Sequence, residues 1–134
     1  MVVSKTVIDQ NLLRRELKRF ESRVGMSGVP DFIEGKSLVL KIADGALSIE
    51  LNKEKTEVLL TYSVEPEIAL VDSYIKRSLE STSYVGGLVI TAMFQDPKLI
   101  FLVTLKNQEI SAEFFENAVM KLMKLWEDIR NGIS

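Results

Sequence analysis

The sequence contains neither cysteine nor histidine, and these two absences remove several kinds of chemistry. Imidazole is the usual proton carrier near neutral pH, and the cysteine thiolate is the usual soft nucleophile and zinc ligand. Ser111 therefore has no histidine to activate it. The acidic residues Glu113 and Glu116 fall at the start of a predicted helix, where carboxylates stabilise unpaired backbone amides. We predict a protein that is not an enzyme and that uses no cofactor and no metal ion.

Charge of one sign is not in excess, and long hydrophobic runs are missing. The 134 residues carry 17 Lys+Arg and 19 Asp+Glu, a formal net charge of -2 at pH 7. Binding to a nucleic acid backbone needs a basic excess, so we predict no nucleic acid partner. No apolar run reaches the roughly 18 to 20 residues of a membrane span, and Lys5 and Asp9 interrupt the first ten residues. We predict no membrane insertion and a cytoplasmic location.

The remaining composition is that of one globular domain over residues 1–134. Apolar residues make up 46% of the chain, and no linker, internal repeat or low-complexity tract divides it. A chain of this size buries roughly two thirds of the surface that its unfolded form exposes. The core can therefore form without a metal ion or a disulfide.

Hydrophobic periodicity predicts an α+β fold. Apolar residues every three or four positions mark helices, and apolar residues at every second position mark strands. The order is helix, three-strand antiparallel meander, helix, two-strand hairpin, helix. The predicted elements are a helix over residues 8–24, strands over 38–43, 47–51 and 56–64, a helix over 66–80, strands over 88–94 and 98–106, and a helix that follows Ser111.

Turn and capping residues mark several of these boundaries. Asp44-Gly45 is typical of a tight hairpin turn between the first two strands. Gly25 follows the first helix where a C-cap favours glycine, and Pro66 suits the first turn of the second helix. Ser111 is a predicted N-cap, and Ile110 and Phe115 flank it at the spacing of a hydrophobic staple.

The last two predicted strands are apolar on both faces. Val89 and Met93 alternate with Leu88, Ile90 and Phe94, and the following strand repeats this composition. Two interpretations remain open. Helices cover both faces of a buried sheet, or one face forms a dimer contact or binds an apolar partner segment.

Four segments, taken in this order, give the chain a resemblance to the small class I chaperones of bacterial type III secretion. The first is the end of the first helix with its glycine-containing loop, and the second is an apolar strand. The third is a strand that starts with Gly-Gly, and the fourth is a terminal helix with tryptophan near its end. The segments are FESRVGMSGVP (20–30), KSLVLKIADG (36–45), GGLVITAMF (86–94) and FFENAVMKLMKLWEDI (114–129).

The resemblance implies a function in protein binding without covalent chemistry or a nucleotide. A chaperone of this family forms a homodimer, or a heterodimer with a related chaperone, through its second helix and fourth strand. Its surface grooves hold the N-terminal segment of a secreted effector or gatekeeper protein. An alternative is a regulatory adaptor on the same fold that sequesters a transcription regulator or a secretion-gate component.

Residues for both surfaces follow as hypotheses from this resemblance. The candidate groove residues are Leu13, Leu17, Phe20, Leu38, Leu40, Ile49 and Leu60. The candidate dimer residues are Ile75, Leu79, Val89, Thr91 and Met93.

Overall fold

The computed structural model describes residues 7–24, 38–42, 44–81 and 89–132, without the side chains of residues 24, 38, 40 and 79–81. Within these ranges the predicted α+β order of elements is confirmed. Short 3-10 turns, Ile68–Leu70 and Asn107–Glu109, precede the second and third helices. The elements are α1 (Gln10–Val24), β1 (Leu38–Ile42), β2 (Gly45–Leu51), β3 (Val58–Val64), α2 (Val71–Ser81), β4 (Thr91–Gln95), β5 (Lys98–Leu105) and α3 (Ala112–Asn131).

The strands form one antiparallel sheet in the order β1-β2-β3-β5-β4. Leu60 on the central strand β3 lies opposite Ile49 on β2 and opposite Val103 on β5. The β4-β5 hairpin joins the meander through β5, and its turn contains the cis peptide between Asp96 and Pro97. The edge strands of the sheet are therefore β1 and β4.

Some element boundaries differ from the predicted ones. The α-helix α2 begins at Val71, because Glu67 has an extended backbone with φ of -61° and ψ of 130°, and a 3-10 turn follows it. Pro66 therefore lies before the helix and not in its first turn. Ile42 pairs with Gly45, so Gly45 is the first residue of β2. The predicted glycines at Gly25 and at 86–87 lie outside the described residues.

The hydrophobic core lies between the three helices and one face of the sheet. Val58, Leu60, Tyr62 and Val64 alternate along β3 with half-buried residues, and each of them is buried. The same alternation in β5 buries every second side chain. All of these residues join one cluster with the apolar faces of the helices. The domain therefore has two layers, a sheet and a helical layer.

The predicted start of α3 is confirmed. Ser111 has an extended backbone, and its hydroxyl oxygen accepts the backbone N–H of Phe114 at 3.0 Å, as an N-cap does. Ile110 and Phe115 are both buried on either side of this cap. They stand at the positions of a hydrophobic staple, which sets the angle at which the chain enters the helix.

Four hydrogen bonds at the start of α1 escaped the sequence prediction. The Oδ1 atom of Asp9 accepts the backbone N–H groups of Asn11 at 3.0 Å and Leu12 at 3.2 Å, so Asp9 caps the helix. The N–H of Asp9 donates to Oδ1 of Asn107 at 3.1 Å, and the N–H of Ile8 donates to the Lys55 carbonyl at 2.8 Å. The first turn of α1 is thereby tied to the turn before α3 and to the β2-β3 turn.

A buried carboxylate joins α1 to α3. Glu16 is 4% exposed, and its Oε1 accepts the N–H of Ala112 at 3.2 Å and Nη1 of Arg19 at 2.6 Å. Its Oε2 accepts Nε of Arg15 at 3.3 Å. The phenyl rings of Phe20 and Phe115 pack beside it, with centroids 5.9 Å apart. Glu16 therefore satisfies an orphan amide in the first turn of α3 as well as two guanidinium groups.

Two exposed ion pairs continue this contact towards solvent. Nη2 of Arg19 lies 2.6 Å from Oε1 of Glu113, and Nε of Arg23 lies 2.6 Å from Oε2 of Glu116. Exposed pairs of this kind add little stability individually. We call Glu16 and these four residues the α1-α3 clasp.

Several opposing effects act on the pKa of Glu16. Burial raises it, but the hydrogen bond from Ala112 and the bonds and charges of Arg15 and Arg19 outweigh burial, so the net pKa lies below its ordinary value of 4.5. A carboxyl whose pKa is lower in the folded state stabilises the fold above its unfolded pKa. This contribution is lost as the pH falls through the folded-state pKa.

The substitution Glu16→Gln is expected to lower the free energy of unfolding at pH 7 by about 1.5–3 kcal/mol, because a neutral amide loses the charge-assisted bonds. As the pH falls through the folded-state pKa of Glu16, which lies below 4.5, the difference from wild type should shrink, because the wild-type carboxylate then becomes protonated as well. Urea denaturation between pH 3 and pH 7 measures both effects. Glu21→Gln, on the half-exposed side of the same helix, is the control. Parallel pH profiles for wild type and Glu16→Gln would contradict this role.

The start of β2 requires glycine for steric reasons. A Cβ atom at Gly45 would lie 2.6 Å from the carbonyl oxygen of Ser63 and 2.7 Å from Cζ of Tyr62. The Tyr62 ring cannot easily move away, because its hydroxyl donates to the Ile42 carbonyl at 3.2 Å.

Gly45→Ala is therefore expected to lower the free energy of unfolding by about 1–3 kcal/mol, as overpacking does in other interiors. Thermal unfolding followed by circular dichroism measures this. Ser48→Ala, in the same strand, should change stability by no more than about 0.5 kcal/mol. Equal melting temperatures for Gly45→Ala and wild type would show that β2 and β3 accommodate a Cβ atom at this position without loss of stability.

Candidate partner-binding surface

The face of the sheet that points away from the helices carries no covering layer within the described residues. None of its described side chains is buried. We call this surface the open face. Its residues are Val39, Lys41, Ala46, Ser48, Glu50, Leu59, Thr61, Ser63, Thr91, Met93, Gln95, Ile100, Leu102 and Thr104.

An apolar band crosses the open face along β5 and its neighbours. Ile100 on β5 lies opposite Met93 on β4, and Leu102 lies opposite Thr91. Leu59 lies on the next strand, β3, opposite Thr104. Hydroxyl side chains surround the band. A neutral surface of this kind is suited to apolar and backbone contacts more than to charged ligands.

This arrangement bears on the two interpretations of the apolar late strands. Leu99, Phe101 and Val103 face the helices and are buried, whereas Ile100 and Leu102 lie on the open face and are half-buried. Within the described residues, the helices cover one face of the sheet only. A dimer contact or an apolar partner segment on the second face stays a prediction.

Five of the seven candidate groove residues lie in the core. Leu13, Leu17 and Phe20 form the buried side of α1, and Ile49 and Leu60 lie on the helix-facing side of the sheet. They are 0–6% exposed, so in this subunit they support the surface from beneath. The backbone of the other two candidates, Leu38 and Leu40, belongs to the edge strand β1, and their side chains lie outside the described residues. The binding role of all seven stays a prediction.

The candidate dimer residues cluster more closely. Ile75 on α2 and Met93 on β4 line one apolar pocket of about 80 Å³ together with Ser78, Ala92, Phe94 and Leu99. Val89 is 61% exposed, Thr91 is exposed on β4, and the side chain of Leu79 lies outside the described residues. The pocket sits beside the edge strand β4, where a second strand has access to unpaired backbone groups.

The opposite edge of the sheet has a polar cleft at one end. This cleft of about 380 Å³ lies beside the β1-β2 turn and contains two cationic and two anionic side chains. Asp44 in its wall accepts a hydrogen bond from Arg130, whose guanidinium lies 5.8 Å from the ring centre of Trp126. The cleft is lined by Lys41, Asp44, Gly45, Ala46, Ser63, Val64, Glu65 and Lys98. Lys41, Ala46 and Ser63 make it continuous with the open face.

Within the described part of the chain, the aspartate and glutamate residues do not form a cluster of three or more that could hold a metal ion. The pKa of the Tyr62 phenol is raised, first by burial and then by the charge of Asp44. Ser78 is buried, and its hydroxyl donates to the Tyr74 carbonyl at 2.6 Å. These groups are engaged in the fold.

None of the helices in the described ranges combines the length and the apolar character that a bilayer crossing needs.

The fold recurs in proteins with very different sequences. A chain from the structure of the HopA1-SchA chaperone-effector complex matches with a TM-score of 0.68 at 14% identity, over 92% of this chain and 98% of that chain. A chain from the structure of the Yersinia pestis type III secretion chaperone SycH in complex with a stable fragment of YscM2 matches with a TM-score of 0.63 at 13% identity, over 87% and 98%.

A third similar structure has another kind of description. YbjN from E. coli, provisionally described as a transcription regulator, matches with a TM-score of 0.56 at 18% identity, over 94% of this chain and 91% of that chain. No protein-family model and no curated protein sequence matches this chain. The chain thus has a fold found in secretion chaperone complexes, at 13–14% sequence identity to the chains compared.

Proposed function

We propose that this protein is a cytoplasmic type III secretion chaperone that binds the N-terminal segment of a secreted effector or gatekeeper protein. The observation that carries the proposal is the similarity of fold, over 92% and 87% of the chain, to chains in two chaperone complexes. The protein acts by binding, and it keeps its cargo soluble until export.

The open face and the β1 edge suit an extended cargo segment. An extended segment presents alternate side chains to one surface, and strand addition provides backbone hydrogen bonds at an edge. Leu59, Ile100 and Leu102 supply the apolar contacts, and Val39 at the β1 edge is 61% exposed. The cargo segment would cover these residues of the chaperone, and the chaperone would cover the apolar residues of the cargo. This mutual cover would prevent aggregation of both proteins.

The same proposal assigns the other edge of the sheet to dimer formation. The pocket between α2 and β4 lies at the far side of the sheet from β1. Ile75 and Met93 line it, and Val89 extends the apolar surface next to it. Cargo binding would then use the open face and the β1 edge, and dimer formation the β4 edge, with Met93 where the two surfaces meet.

A regulatory adaptor on this fold is the second candidate. It is favoured by the similarity to YbjN at a TM-score of 0.56. In this case the same surface would sequester a transcription regulator or a secretion-gate component. Co-expression with the products of neighbouring open reading frames, followed by purification of the complex, separates the two candidates. Recovery of an exported protein supports the chaperone, and recovery of a transcription regulator supports the adaptor.

The double substitution Ile100→Thr and Leu102→Thr is expected to weaken cargo binding by about tenfold or more. Each substitution removes apolar area at the centre of the open face, and a factor of ten corresponds to about 1.4 kcal/mol. Threonine keeps the preference for a β-strand, so the sheet should remain intact. Isothermal titration with the co-purified cargo segment measures the change in Kd.

The matched control removes two exposed apolar side chains from the helical side. Ile68 is 90% exposed and Met120 is 62% exposed, so Ile68→Thr with Met120→Gln should leave the Kd within about twofold of wild type. Equal loss of affinity in both double variants would contradict the placement of cargo on the open face.

Charged residues at the α2-β4 surface are expected to dissociate the dimer. In Val89→Asp with Met93→Asp, two carboxylates would be buried without partners if the proposed dimer formed, which is unfavourable by several kcal/mol. Light scattering should give the mass of two chains for wild type, and the mass of one chain or insoluble protein for the variant. Thr104→Asp, an exposed position on the open face away from β4, should remain a dimer. A soluble dimer of the Val89 and Met93 variant would disprove this interface.

A further inference from the structure

The positive charge of the protein is concentrated on its first helix. The 15 residues of α1 contain five basic and two acidic residues, a net charge of +3. The rest of the chain contains 12 basic and 17 acidic residues, a net charge of -5, so the net charge of -2 conceals this separation. The basic residues of α1 are Arg14, Arg15, Lys18, Arg19 and Arg23.

These cations divide into two groups by their surroundings. Arg19 and Arg23 are drawn to α3 by the carboxylates of Glu113 and Glu116. Arg14, Arg15 and Lys18 are exposed on the solvent side of the helix. Arg15 pairs with Glu16 at 3.3 Å, yet its side chain remains 69% exposed. Arg14 makes no ion pair with any other residue in the described ranges. We call Arg14, Arg15 and Lys18 the α1 basic face.

The packing of α1 holds this face outward. The opposite side of the helix carries Leu13, Leu17 and Phe20, which are 0–6% exposed. Glu16 fixes the rotation of the helix through its bond to the N–H of Ala112. Because Arg14 and Lys18 are four residues apart, they stand about 6 Å apart along the helix axis, on adjacent turns.

We propose that the α1 basic face binds an acidic segment of a second partner protein. Guanidinium groups bind carboxylates through paired hydrogen bonds, and three cations within two helical turns match a short run of aspartate or glutamate. The partner is distinguished from the cargo by this chemistry, because the open face is neutral and apolar at its centre. The proposal does not depend on the identity of the cargo.

A nucleic acid or a membrane surface fits these observations less well. The net charge of -5 outside α1 would repel a phosphate backbone or an anionic bilayer once the protein came close. A helix that lies in a membrane interface inserts its apolar side, and in α1 that side is buried in the core. A polypeptide segment is narrow enough to contact α1 alone.

The position of the α1 basic face allows both partners to bind at once. The apolar side of α1 joins the core cluster on the helical side of the sheet, and the open face lies on the other side. An acidic partner could therefore engage the chaperone while cargo covers the sheet. Electrostatic attraction of this type mainly raises the association rate and weakens with salt.

A fluorescein-labelled peptide of about 12 residues with alternating Glu and Ser tests the proposal by fluorescence anisotropy. The peptide should bind wild-type protein, and the Kd should increase about tenfold or more between about 50 mM and 300 mM salt. Arg14→Glu with Lys18→Glu should weaken binding about tenfold or more, because like charges then face the peptide. Arg14→Gln with Lys18→Gln should weaken it to a smaller extent, and it serves as the measured variant if the first unfolds.

The matched control changes net charge by the same amount at another place. Lys53 in the β2-β3 turn and Lys98 at the start of β5 are exposed, and Lys53→Glu with Lys98→Glu should keep the Kd within about threefold of wild type. An equal loss of peptide affinity in the control and in the α1 variant would show that affinity depends on net charge alone, and it would overturn the proposal. Tighter binding of a duplex DNA or of anionic vesicles than of the peptide would overturn it as well.

Discussion

The structure depends on the burial of one face of a five-stranded sheet by three helices. Along β5, Leu99, Phe101 and Val103 fill the core, while Ile100 and Leu102 alternate with them on the open face. The period of a strand assigns these two sets to opposite sides, so neither set can be buried together with the other. Within the described residues the helices lie on one side of the sheet, so the second apolar set has no helical cover there. This constraint connects the packing of the domain to its proposed function.

Long-range polar contacts fix the start of α1 and the start of α3 to each other. Glu16 and Ala112 are 96 residues apart in sequence, and Asp9 and Asn107 are 98 apart, yet each pair is hydrogen-bonded. Both contacts satisfy backbone amides near helix starts, which would otherwise remain without acceptors. They set the rotation of α1 and determine which of its side chains meet solvent. The distribution of charge on the surface therefore follows from contacts in the interior.

The order of the elements could be predicted from the sequence, because periodicity and capping are local signals. Ser111 showed where α3 begins, whereas Pro66 was misleading because Glu67 after it is extended. The candidate groove could not be located in this way. The periodicity that identified Leu13 and Leu17 marks the buried side of a helix, but it cannot tell core from groove. A glutamate on the apolar side of α1, Glu16, was the one sign of the α1-α3 clasp in the sequence. Its hydrogen bond from Ala112 could not be predicted, because that contact depends on the tertiary fold.

The two surfaces of the domain have different chemistry because their neighbours in the fold differ. On the open face, the paired strands satisfy their own backbone groups, so the surface that remains is made of methyl and hydroxyl groups around Ile100 and Leu102. On α1, the apolar side is buried in the core, so the side that faces solvent is cationic. If both proposals hold, the first surface selects partners by shape and apolar area, and the second selects them by charge. The fold is shared with the compared structures at only 13–18% identity. Partner choice would then depend on the side chains of β3, β5 and α1.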